Sequence, residues 1–202
     1  MAYRGQGSSP VAAWVLIVIN LLIFIVTVII DRTNPNFIYY TFGLSQATFL
    51  ERPWTLVTSM FIHASLWHIF ANMLTLYFFG GYLNRLLGTW KFLIIYFAGG
   101  IAGSIAYLLL ASPYSIAVGA SGAIFALGGA LAVMRPKLRV IIFPIPAPLP
   151  LWIAIIGTFV VFTILSIASI LPSIAWQGHL GGLVLGLIAG YFLRRRERRL
   201  YY

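Results

Sequence analysis

A lone serine in Gly119-Ala120-Ser121-Gly122 opens one apolar stretch of this chain, His179 opens another, and His68 with Asn72 opens a third. Serine is a weak nucleophile until a base takes its proton, and histidine is the usual base. A further histidine or an amide can donate hydrogen bonds to the oxyanion that forms when a serine attacks a carbonyl. Together the three stretches hold the parts for acyl transfer through a hydroxyl.

Spacing distributes the roles. Gly178, Gly182, Gly186 and Gly190 recur every fourth residue, and Gly122, Ala126 and Ala130 do the same. On helices each row lies along one face, where small residues let two backbones approach closely. If those faces meet, Ser121 and His179 are neighbours, which favours His179 as the base. His68 and Asn72 are one turn apart on a common face and better suited to an oxyanion. Phe125, four residues after Ser121, shares the serine's face and can pack against whatever meets that serine.

The acids matter by their scarcity. The chain has three carboxylates, Asp31, Glu51 and Glu197, and none falls inside an apolar stretch. Asp31 sits at the end of the first stretch, with nothing in the sequence aiming it at His179. A Ser-His dyad is therefore the feasible arrangement rather than a Ser-His-Asp triad. Gly119-Ala-Ser-Gly-Ala123 is also not the strand-to-helix nucleophile elbow, whose second glycine is here Ala123. Each group taken alone has a plainer reading. The serine is a small packing residue, the histidine a hydrogen-bond partner, proton relay or haem ligand, and the asparagine interhelical glue. Their convergence at the same ends of alternate stretches argues for a site.

The elements that must position them are membrane helices. The chain is 61% hydrophobic and 8% charged, with a mean hydropathy of +0.99, whereas soluble domains carry about 25% charged residues. Six apolar stretches, at about 11–30, 64–83, 90–110, 116–134, 150–171 and 176–193, each approach the ~20 residues that cross a bilayer core. The expectation is an all-α polytopic membrane protein, a compact six-transmembrane-helix bundle occupying residues 1–202 as a single domain. Its first outer connection, about 31–63, is rich in aromatics and expected to be membrane-associated. The proline run Pro144-Ile-Pro146-Ala-Pro148-Leu-Pro150 cannot be helical throughout.

Charge sets the orientation. Of the 13 basic residues, 11 lie before span 1, between spans 2 and 3, between spans 4 and 5, or after span 6. The positive-inside rule then makes both termini cytoplasmic and starts spans 2, 4 and 6 at the outer face. At 1.5 Å per residue, Ser121 lies roughly 8 Å, His179 5 Å, His68 6 Å and Asn72 12 Å below that face. All four share one leaflet. The net charge of +10 thus reads as topology and anionic-lipid contact through the basic tail, not as a nucleic-acid site. With no cysteine there is no disulfide, thiol nucleophile or Cys-ligated metal. The first apolar run is too long for a signal-peptide core and is read as a retained span, with a prokaryotic cell membrane as the simplest address.

These residues resemble the rhomboid family of intramembrane serine proteases along nearly the whole chain. His63-Ala-Ser-Leu-Trp-His68-Ile-Phe-Ala-Asn72 is similar to the family's H-x4-H-x3-N, Gly119-Ala-Ser121-Gly122 to its G-x-S-G, and Gly178-His179-Leu-Gly-Gly182 to its last-helix histidine followed by small residues. The resemblance implies Ser121 as nucleophile and His179 as general base. It places His68, Asn72 and the Ser121 backbone N–H around the oxyanion, and Phe125 stacked on His179 where relatives often carry tyrosine. It implies transmembrane segments of other proteins as substrates, cut after a small residue, with span 5 and the connection 171–177 as gate and cap, and no metal or cofactor. Where many relatives carry a Trp-Arg pair in the first loop, this chain reads Arg52-Pro53-Trp54, and Arg52 is given no role. The rival readings are a six-span transporter or channel using the His and Asn groups as a polar pathway, and a bis-histidine haem carrier.

Overall fold

The computed structural model describes residues 9–142 and 145–199. Pro144 and the side chains of Ile145 and Pro146 in the proline run, the N-terminal Arg4, and the side chains of Glu197 and of Arg196, Arg198 and Arg199 in the basic tail lie outside the described residues.

The chain is mostly helical. After α1 (Val11–Asp31) the first connection folds into α2 (Phe37–Phe42) and α3 (Thr55–Thr58) with short 3₁₀ turns. α4 (Leu66–Thr75) runs through a π turn at Leu76–Gly80 into α5 (Gly81–Leu87). Then come α6 (Thr89–Leu110), α7 (Ser121–Met134), α8 (Leu151–Ile167) and α9 (Trp176–Arg199). Among the described residues α1 and α6 are long and apolar enough to cross a membrane by themselves, while α7 and α8 are apolar but shorter.

Two differences from the expected spans have physical causes. The fourth stretch becomes helical only at Ser121, five residues later than the hydropathy suggested. Residues before it are held extended by the first connection: Leu44 and Ala117 exchange backbone bonds of 2.9 and 2.8 Å, and the Gly119 N–H donates to Ser59 O at 2.8 Å. Gly119, at φ +119°, then turns the chain into α7 with a backbone that side-chain-bearing residues rarely adopt. Between α7 and α8 lies an antiparallel hairpin, β1 (Arg139–Ile142) with β2 (Ile145–Pro150), a small departure from an all-α fold. A strand tolerates proline where no ladder partner needs its N–H. Pro148 and Pro150 alternate with Leu149 and Leu151, and the Leu151 N–H bonds back to Leu138 O at 2.7 Å.

The first connection is a built structure. The side chains of Arg52, Trp54 and Thr58 donate to the consecutive carbonyls of Tyr40, Thr41 and Phe42, closing the C-terminal end of α2. Arg52, assigned no role from its motif, is thus part of this loop's scaffold. Ile38, Leu44 and Met60 from the same region are buried.

α7 stands at the centre. Eleven of its 14 residues are buried, as expected for a helix that is apolar all round and enclosed by neighbours. It meets α9 on the two small-residue rows: Gly182 packs on the carbonyl of Gly122 and Gly186 on that of Ala126, while a Cβ at Gly190 would stand 2.7 Å from Ala130 O. Both helices run the same way, so their first residues come together at one end.

Candidate active site

Ser121 is the first residue of α7. The first bond of that helix runs from the Ile124 N–H to Ala120 O at 3.0 Å. The N–H groups of Ser121, Gly122 and Ala123 therefore have no acceptor within the helix and form, with the positive end of the dipole, a patch suited to negative charge. Early in α9, His179 is buried and its Nε2 lies 2.8 Å from Ser121 Oγ. For proton abstraction the Oγ–H donates to an unprotonated Nε2, which leaves the ring proton on Nδ1.

Nδ1 of His179 is buried and has no hydrogen-bond partner. Asp31, the acid the sequence left open, uses its Oδ1 to accept from the Asn36 N–H at 2.7 Å. Aromatic packing rather than a carboxylate orients the imidazole. Phe125 stacks on it with ring centroids 4.6 Å apart and planes at 28°, and Phe162 of α8 approaches to 6.1 Å.

His68 arrives from α4. Ser65 caps that helix, its Oγ accepting from the His68 N–H at 3.1 Å. His68 Nδ1 accepts from the Ala64 N–H at 3.4 Å, so a neutral ring carries its proton on Nε2 and presents a donor. The ring lies against Gly119: a Cβ there would stand 2.7 Å from His68 Nε2 and 3.8 Å from Ser121 Oγ. His68 Nε2 and Ser121 Oγ thus flank one glycine. Asn72 is buried on the same helix and donates one amide hydrogen to His68 O at 2.9 Å. It steadies the turn that carries His68, and no contact brings its amide to Ser121.

Four residues that sequence reasoning passed over belong to the site's frame. His63, quoted only as part of a motif, is fully buried and meets His68 edge to face at 5.0 Å. Its place in that motif was the available signal. Gly119 supplies the turn and the space for His68, Ser65 the cap, and Phe162 the far wall of His179; a serine just before an apolar run was the available signal for the cap, and nothing in its local sequence marked Phe162. Behind Ser121 lies a cavity of about 40 Å³ bounded by Ser59, Met60, Gly100, Gly103, Ser104 and Gly122. Among the described residues no group of three His, Cys, Asp or Glu side chains converges as a metal-ligand set.

Known proteins are similar to this chain in sequence. The rhomboid domain family matches residues 50–196. The mitochondrial rhomboid protein 1 of Saccharomyces cerevisiae is 30% identical over an alignment covering 84% of this chain and 58% of the yeast protein. Rhomboid protease GluP of Bacillus subtilis is 31% identical, covering 91% of this chain but 35% of GluP. The putative rhomboid protease YdcA of the same bacterium is 31% identical over 72% of this chain and 70% of its own length. The chain thus spans less than two thirds of the yeast protein and about a third of GluP.

Proposed function

Since the chain belongs to the rhomboid family, and is with it an integral membrane protein, we propose that it is an intramembrane serine endopeptidase that cuts transmembrane segments of other proteins. The observation that carries this reading is the 2.8 Å contact between Ser121 Oγ and His179 Nε2. Ser121 Oγ attacks the scissile carbonyl while His179 Nε2 takes its proton. The tetrahedral oxyanion is met by the Nε2–H of His68, the free N–H of Ser121 and, after a side-chain rotation, the second amide hydrogen of Asn72. His179 returns the proton to the leaving amine as the C–N bond breaks, leaving an acyl-serine. Water attacks that ester, its proton again passing through His179, and Ser121 is restored.

Depth follows from helix length. At 1.5 Å per residue the 14 residues of α7 make about 21 Å, short of a ~30 Å hydrocarbon core. A six-span bundle can still form if the loop before Ser121 completes the crossing, which sinks the serine below the outer surface. The small cavity lined by glycines suits a small side chain before the scissile bond. Both termini are cytoplasmic in this reading. The basic residues at the inner end, with Arg85, Lys91 and Arg195 exposed, face anionic lipid.

Replacing Ser121 or His179 with alanine tests the mechanism. Each variant should express and lose cleavage of a reporter transmembrane segment, and a fluorophosphonate should label Ser121 in the parent chain but not in His179→Ala. Undiminished cleavage by Ser121→Ala would sink the reading.

A further inference from the structure

The packing of α7 on α9 leaves a mechanical problem. Gly182, Gly186 and Gly190 meet Gly122, Ala126 and Ala130 in the same way at each turn, a contact that repeats every ~6 Å along the axis. Rows of small residues bring backbones together and, Leu183 against Gly129 apart, interlock few long side chains, so they resist sliding along the axis only weakly. The Ser121–His179 hydrogen bond, by contrast, tolerates displacements of a few tenths of an ångström, about the width of the normal distance range. Something must hold α9 at one height.

A bond at the far end does so. Arg194 follows His179 by fifteen residues, roughly 22 Å along the helix, and is half-buried. Its Nη1 donates to Val133 O of α7 at 3.1 Å. Val133 is one of the last four residues of α7, whose carbonyls have no intrahelical donor. Its neighbours are served locally, Leu131 O by the Arg135 N–H at 2.7 Å and Met134 O by Arg135 Nη1 at 3.0 Å. The carbonyl of Val133 is taken by the neighbouring helix instead. A guanidinium at a helix C-terminus is also favoured by the dipole.

We propose that Arg194 is a positioning residue: by gripping Val133 O at the inner end of α7 it sets the axial register of α9 and so keeps His179 Nε2 within reach of Ser121 Oγ. This rests on the Ser-His reading above. Small misplacements of a catalytic group, on the order of 1 Å, cost about 100-fold in rate, so partial loss of the grip should cost less.

The test uses the full chain in lipid vesicles with a reporter transmembrane substrate. Active sites are counted by fluorophosphonate titration, and kcat per titrated site and KM are measured for Arg194→Gln, Arg194→Lys and Arg195→Gln. Arg194→Gln should lower kcat per site about tenfold, within that ceiling, with KM within about twofold. Arg194→Lys, which keeps one donor on a flexible stem, should fall between it and the parent. Arg195→Gln removes the same charge from an exposed neighbour and should match the parent. Fewer titrated sites, each working at the parental rate, would make Arg194 merely structural and overturn the proposal. Equal losses in Arg194→Gln and Arg195→Gln would overturn it as well. If the glutamine variant does not fold, the lysine variant decides, and a parental rate per site refutes the idea. A parent chain that takes no label at Ser121 sinks the dyad reading and this proposal with it; a labelled parent with an unimpaired Arg194→Gln sinks this proposal alone.

Discussion

Gly119→Ala probes the placement of His68 while leaving Ser121 and His179 unchanged, since the added methyl meets Ser121 Oγ only at an ordinary 3.8 Å. Two costs follow from the structure. Gly119 sits at φ +119°, where a residue with a side chain is strained by about 1–3 kcal/mol. The added methyl would also stand 2.7 Å from His68 Nε2 and 2.8 Å from Cε1, against ordinary contacts of 3.4 Å or more. The ring must then retreat by about 0.7 Å, a displacement large enough to spoil a donor aimed at an oxyanion. Removal of one such donor costs about 100- to 1000-fold in kcat, so a misaligned donor should cost on the order of 10- to 100-fold with KM little changed. For a chain of this size, strain of about 2 kcal/mol lowers Tm by roughly 4–8 °C if unfolding is reversible. The assay is steady-state cleavage of a reporter transmembrane segment, normalised to titrated sites, beside thermal melts of Gly119→Ala, His68→Ala and the double variant. Steric conflict with the ring predicts that His68→Ala relieves part of the stability loss caused by Gly119→Ala, giving a non-additive cycle. Strictly additive melts with full activity in Gly119→Ala would refute the placement of His68 against that glycine.

Phe125→Ala removes the ring stacked on His179 and should cost about 3–5 kcal/mol of stability as a buried truncation, along with slower fluorophosphonate labelling of Ser121; Phe125→Tyr should retain both, and equal labelling rates in all three chains would show that the stack does not orient the base. Asp31→Asn should leave kcat within about twofold, because the carboxylate caps the turn before α2 rather than contacting His179; a loss approaching the ~10⁴-fold effect of a triad aspartate would show that Asp31 does orient the base.

Much of the site was legible because its chemistry is carried by rare residues. In a chain with three histidines and three acids, a serine and a histidine opening glycine-rich stretches have few competing roles. The four-residue glycine rows identified the pairing of α7 with α9, because small residues at that spacing have little use on a helix facing lipid. The start of α7 was not legible. Residues 116–120 are as apolar as the helix that follows, and hydropathy cannot distinguish a buried extended segment from a helical turn. What keeps them extended is pairing with Leu44 and Ser59, residues 60 or more positions earlier. The scaffolding work of Arg52, Trp54 and Thr58 was hidden for a similar reason: their acceptors are backbone carbonyls, which every residue has.

Composition, charge placement and residue identity are properties of the chain read in order, and by themselves they determine that this is a membrane-embedded helical protein with Ser121 at the head of one apolar stretch and only three histidines that could activate it. Lysine and arginine bias, which depends only on position along the chain, adds an expectation of the side on which the polar groups gather. The tertiary structure decides the distance between them. Ser121 and His179 are 58 residues apart, and their 2.8 Å contact depends on the height at which two smooth helix faces come to rest. The glycine rows mark in the sequence which two faces meet, but the atoms that meet across them are backbone carbonyls, which every residue has, so the height of contact leaves no mark in the local sequence.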